Sequence, residues 1–213
     1  VNIDIWSDVV CPWCYLGKRR LERALETFDH RDQVRIAHRS FQLDPSRPRH
    51  QTTSRRAMLK AKYRLSDEQV EEMDRKMERL AAAEGLDYHL TDAGMTGNTL
   101  DAHQLVHLGR DRGIEDDVLE RLYRAYFTEQ RSLFDRQPLV DLGVDAGLDA
   151  DEAARVLERD TYVPAVMADL DEARALGISG VPFFVIAGRY AVSGAQPTDV
   201  FRQALARART ESS

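Results

Sequence analysis

Two cysteines in 213 residues, three positions apart, leave none for structural cross-links. That scarcity excludes the disulfide-stapled scaffold of small secreted domains, fits a reducing compartment, and makes the expected location cytoplasmic. No apolar run approaches the ~20 residues needed to span a membrane. The opening residues, Val1 to Trp6, carry neither the charged n-region nor the apolar h-region of a signal peptide and read as a strand instead. Positive charge is also in short supply. Lys and Arg number 30 against 36 Asp and Glu, a net charge of −6, whereas a dedicated nucleic-acid binder usually shows a basic domain or stripe. Clusters such as Arg55-Arg56 and Arg207 to Arg209 have acids interleaved with them and read as solvated helix faces. Internal repeats and low-complexity runs are absent, apart from the polar tail Thr210 to Ser213.

What remains is ordinary globular material, 43% hydrophobic and 31% charged, enough for one large domain or one domain carrying an insertion. Val1 to Trp6 alternates apolar and polar residues with period two, a strand signal. From Trp13 to Phe28 apolar residues recur at helical spacing (Leu16, Leu21, Ala24, Leu25, Phe28). Pro12 stands where the first helical residue would be, and its missing N–H costs nothing there. Val34 to Phe41 reads as a second strand, ended by Asp44-Pro45 and Pro48. A strand–helix–strand unit with so short a connection should pair its strands in parallel with a right-handed crossover.

Residues 51 to 177 read as helical. Ser66-Asp67-Glu68-Gln69 has the form of a capping box, Asn98 and Asp149 precede further apolar-periodic stretches, and Gly85, Gly97, Gly113 and Gly147 fall near expected helix ends. The Leu/Tyr/Phe stripe Leu119, Leu122, Tyr123, Tyr126 and Phe127 reads as core. The period then changes: Val181 to Ile186 is a short apolar strand run, Gly188 marks a turn, and Arg189 to Ser193 reads as the second strand of a hairpin. A last helix runs from about Pro197 to Arg207. The order is β-α-β, helical insert, β-β-α: an α/β thioredoxin arrangement with a large all-helical insertion. Its expected divisions are 1–50 with 178–213 for the sheet domain, and 51–177 for the insertion.

The chemistry lies in Cys11-Pro12-Trp13-Cys14. The spacing alone also suits zinc, but structural zinc wants four ligands, and no second cysteine pair exists. His103 and His107, on one helical face, keep a zinc reading open, although no metal is expected. A C-x-x-C pair that follows a strand and opens a helix is a redox arrangement. At a helix N-terminus, unpaired N–H groups and the helix dipole stabilise a thiolate. Cys11 is therefore expected to be an exposed, low-pKa nucleophile. Cys14, one turn on, is expected to be less exposed and to resolve the mixed disulfide. Trp13 is either a hydrophobic rim residue or a platform for the partner's apolar surface. Asp8 either caps the strand–helix turn or relays a proton for Cys14. Asn98 reads as a helix N-cap, and His103 as a satisfied histidine on a helix. Alternatively, that helix roofs the cysteine cleft and a protonated His103 supports the thiolate. Pro182, entering the third strand, needs a reason for its position. A cis Val181–Pro182 bond would turn the backbone toward the cysteines and expose an edge to an extended substrate.

Three blocks together resemble the FrnE-like branch of the DsbA family. They are Trp6-Ser7-Asp8-Val9-Val10-Cys11-Pro12-Trp13-Cys14, then Asn98-Thr99 with Ala102-His103, then Gly177 to Phe184 with Gly194-Ala195-Gln196. The resemblance implies a thioredoxin fold with a helical insertion, Pro182 as a cis-proline facing the cysteines, Val181 as a backbone substrate contact, and cytoplasmic dithiol–disulfide chemistry. No cofactor is expected beyond the Cys11–Cys14 disulfide, with glutathione as a candidate reductant or co-substrate. The expected partners are a thiol- or disulfide-containing protein or small molecule and a recycling redox partner, with no nucleic acid and no membrane. A homodimer through the insert's exposed faces is open. The same superfamily includes kappa-class glutathione transferases and hydroxychromene-carboxylate isomerases, which use serine where this chain has Cys11. A glutathione-dependent isomerase or transferase is thus the second reading, and a redox-switched chaperone or binding protein the third.

Overall fold

A computed structural model describes residues 1–90 and 94–210. The end of the polar tail, residues 211–213, lies outside them. In chain order the elements are β1 (Asn2–Ser7), α1 (Pro12–Glu26), a 3-10 turn (Arg31–Gln33), β2 (Arg35–Ser40), β3 (Thr52–Ser54), α2 (Arg55–Tyr63), α3 (Asp67–Ala83), β4 (Met95–Gly97), α4 (Leu100–Asp111), α5 (Glu115–Phe127), α6 (Arg136–Asp145), α7 (Ala150–Arg159), α8 (Val163–Ala175), β5 (Phe183–Ile186), β6 (Tyr190–Ser193) and α9 (Thr198–Thr210).

The chain forms two compact units, Val1–Leu43 with the chain from Met167 onward, and Asp44–Val166. The joins fall at 43/44 and 166/167, where the sequence placed them at 50/51 and 177/178. The reason lies in α8. Asp169 accepts a hydrogen bond from the Ser40 N–H at 2.8 Å and its carbonyl takes the Trp6 indole N–H at 3.1 Å. Ala173 packs beside Trp6. Most of α8 thus belongs with the sheet, which helical periodicity alone does not reveal.

The first unit holds a four-stranded sheet in the order β2-β1-β5-β6. β1 and β2 are parallel, and β5 runs antiparallel to both β1 and β6. Period two distributes the side chains between the sheet faces. Ile3, Ile5, Phe184, Ile186 and Val192 pack with Leu21 and Leu25 of α1 and with Phe201, Ala204 and Leu205 of α9. Trp6, Phe183 and Val185 share the other face with Ala173 and Ile178. Phe184 meets Phe201 edge-on at 4.7 Å. Burying one such ring contributes on the order of 2–3 kcal/mol.

The second unit is mainly helical, with one departure from the expected all-helical insertion. β3 and β4 form a short antiparallel pair, Thr52 opposite Gly97 and Ser54 opposite Met95. Three-residue strands are too short to show a period, and their partners lie more than forty positions apart. Gly97 accordingly sits in a strand and not at a helix end. The capping box of α3 forms as expected, with Ser66 and Gln69 bonding reciprocally, and Asp149 caps α7. Arg55 donates both terminal nitrogens to the two carboxylate oxygens of buried Asp74, at 2.8 and 2.7 Å.

Candidate active site

β1 delivers the chain to the cysteine turn, and α1 begins there. Cys11 is the N-cap residue of α1, with extended backbone (φ −90°, ψ 111°), and Pro12 opens the helix. The turn is closed by Cys11 N donating to Asp8 O at 3.0 Å and Cys14 N to Cys11 O at 2.9 Å. No acidic residue occupies the first turn of α1, although the buried Asp8 carboxylate before it is near enough to act on Cys14. Trp13 projects outward and is 44% exposed.

The antiparallel pairing of β1 with β5 brings in the second half of the site. Trp6 lies opposite Phe183, so the residues before β5 stand beside the end of β1 from which the cysteines depart. The Val181–Pro182 bond is cis. Val181 presents its carbonyl oxygen 3.6 Å from Cys11 Sγ, within reach of a thiol donor. The wall is itself anchored: Gly194 N donates to Pro182 O at 2.8 Å.

Both cysteines are free thiols, and both are buried, Cys11 at 4% exposure and Cys14 at 2%. The expectation of an exposed Cys11 is therefore corrected. The resemblance implied that the Val181–Pro182 segment faces the cysteines, and the Val181 carbonyl lies close enough to cover the Cys11 sulfur. Burial pushes the Cys14 thiol well above its ordinary value. The adjacent Cys11 raises it further, against a hydrogen bond from the Asp8 backbone. Both influences favour the protonated form of Cys14.

Asp8 is buried, and its carboxylate accepts the Leu43 N–H at 2.8 Å. It ties the cysteine turn to the segment leaving β2, a cap of a longer-range kind than the strand–helix turn expected. Lys18, also buried, pairs with Glu22 one turn further along α1. Asn98 and His103 belong to the other unit. Thr99 is the N-cap of α4, and Asn98, one residue before it, supplies the side-chain cap: its Oδ1 accepts Leu100 N at 2.9 Å, and its Nδ2 donates to Arg47 O at 2.7 Å. His103 is buried on α4. Among the described residues, no group of three or more His, Cys, Asp or Glu is arranged to hold a metal ion.

Three residues escaped the sequence reading. Asp169 and Arg20 act through partners far away in the chain, Arg20 donating to Ala195 O at 2.7 Å, and nothing local announces them. Gly17 did leave a signal. A glycine inside a helix costs up to about 1 kcal/mol relative to alanine, so one in the middle of α1 asks for a packing reason.

A dithiol at a helix N-terminus, faced by a cis-proline segment on a β-α-β … β-β-α sheet, defines a protein of the thioredoxin class. A family model of DSBA-like thioredoxin domains matches residues 2–206, and the chain belongs to that family. It is similar to a probable DsbA oxidoreductase of Streptomyces coelicolor, with 47% identity, a TM-score of 0.94, and coverage of 99% of this chain and 90% of that one. The uncharacterized protein YwbO of Bacillus subtilis (strain 168) is 27% identical over 206 residues, 96% of each chain. The cytosolic disulfide reductase DsbM of Pseudomonas aeruginosa, solved with GSH, shares the fold at 18% identity and a TM-score of 0.68, over 99% of this chain and all of that one.

Proposed function

We propose that the protein is a dithiol–disulfide oxidoreductase acting on protein or small-molecule disulfides in the cytoplasm. The observation that carries this reading is the asymmetry of the pair: Cys11 at the helix N-cap, facing the Val181 carbonyl, and Cys14 buried one turn on, where burial favours its thiol form. The Cys11 thiolate attacks one sulfur of the substrate disulfide, and the other sulfur leaves as a thiolate and takes up a proton. Cys14 then loses its proton and attacks Cys11 Sγ. This closes the Cys11–Cys14 disulfide and frees the second substrate thiol. Two electrons have passed to the substrate. Two molecules of a thiol such as glutathione restore the dithiol and leave as their disulfide, and no other cofactor takes part. The reverse sequence oxidises a dithiol substrate, and the relative potentials of the two pairs set the direction.

Pro12 and Trp13 line the approach to Cys11, and Val181 with Pro182 offers backbone to an extended substrate. Asn98 and His103 are assigned to substrate binding on the resemblance of their block alone. The test is reduction of insulin disulfides with glutathione as reductant. The wild type should turn over, Cys11→Ser should fall to background, and Cys14→Ser should trap a mixed disulfide at Cys11. Turnover surviving in Cys11→Ser would overturn the dithiol mechanism.

A further inference from the structure

Building on the dithiol reading, we infer that Gly17 and Arg20 are positioning residues that clamp α1 against the Pro182 wall and so set the distance between Cys11 and the Val181 carbonyl. A Cβ at Gly17 would lie 2.9 Å from Pro182 Cγ, 3.2 Å from Phe184 Cζ and 3.5 Å from the Ala195 Cα. The first of these is closer than carbon atoms pack. The proline ring is rigid and its carbonyl is held by Gly194 N, so neither side of the contact yields without moving the wall or the helix. The missing side chain is what lets the helix that starts at Cys11 touch the segment that faces Cys11.

Arg20 stands three residues further along α1 and fastens the same surface from the other side of the hairpin. Its guanidinium donates to Ala195 O at 2.7 Å. Ala195 follows Gly194, whose N–H holds Pro182 O, and Gln196 closes this turn by donating Nε2 to Ser193 O at 2.8 Å. One helix face thus grips the wall at two points, a bare glycine surface under Pro182 and a cationic hydrogen bond to Ala195. Both residues act through the position of Val181, the backbone proposed to receive an extended substrate.

The experiment compares wild type, Gly17→Ala, Arg20→Ala and Arg20→Lys at a temperature where each is folded. Steady-state kinetics use a peptide disulfide, and alkylation of Cys11 by iodoacetamide reports how far the Val181 carbonyl covers the sulfur. Helix propensity alone predicts that Gly17→Ala melts higher and works equally well. The clamp predicts a KM for the peptide disulfide raised roughly fivefold or more in Gly17→Ala and Arg20→Ala, with kcat within about twofold. It also predicts faster alkylation of Cys11 in both variants, because the Val181 carbonyl that covers the sulfur moves away, and recovery in Arg20→Lys, which keeps a donor. Unchanged KM in both folded variants overturns it. If Gly17→Ala does not fold, the Arg20 pair decides by the same criterion. Crystal structures of the folded variants read the clamp without turnover: the Cys11 Sγ to Val181 O separation should open beyond hydrogen-bond reach, and an unaltered separation overturns the inference. An inactive wild type would sink the oxidoreductase reading and leave this geometric test standing.

Discussion

At Cys14, burial is the largest influence on the thiol and the neighbouring Cys11 the next. In Cys11→Ser the contributions of Cys11 disappear and burial stays, so Cys14 should resist alkylation at neutral pH and react only as pH climbs beyond the ordinary thiol range. A mass-spectrometric pH–rate profile of iodoacetamide labelling checks this, and rapid labelling of Cys14 at pH 7 would refute it. Tyr162 offers a second titration. Burial, followed by its hydrogen bond to Asp111, pushes its phenol from 10 up to about 12. The neutral form is therefore favoured in the folded state. The stabilisation is whole below about pH 10 and is lost as pH rises through about 12. Denaturant titrations across that window should show a steeper alkaline loss in the wild type than in Tyr162→Phe.

The elements form where local signals are strong and their partners are then chosen at a distance. β1, α1, the capping box of α3 and the cap of α7 were readable because period and capping act over a few residues. β3 and β4 were not, since three residues carry no period and their pairing spans the whole of α2 and α3. The Arg55–Asp74 ion pair also joins different helices, α2 and α3. Asp74 receives both arms of Arg55 in a buried setting. Asp74→Ala leaves a buried guanidinium without its carboxylate and should cost about 3–5 kcal/mol. Urea denaturation measures that loss, and a change under 1 kcal/mol would mean that the guanidinium finds other partners or water. Asp169 plays a comparable part for β2, its carboxylate occupying the Ser40 N–H at the edge of the sheet.

On the scale of the molecule, both sheet-face clusters lie in the first unit, and neither depends on a disulfide. The Cys11–Cys14 bond would close a loop of only one helical turn, and short loops remove little entropy from the unfolded chain. Cooperative thermal unfolding should therefore persist in dithiothreitol, with unchanged far-UV circular dichroism. Collapse on reduction would show that the pair carries the fold. The sequence by itself determined the elements around the redox motif, the place of Cys11 and Cys14 at a strand–helix junction, and the split of the thioredoxin order by an insertion, because these depend on neighbours a few residues away. Tertiary structure alone decided that Cys11 is covered and not exposed, that α8 joins the sheet, and that Gly17 lies under Pro182, whereas a Val181–Pro182 segment facing the cysteines was already implied by the family resemblance. Those facts arise when β5 pairs antiparallel to β1, bringing residues more than 160 positions apart into contact, and hydrophobic periodicity carries no record of such a meeting.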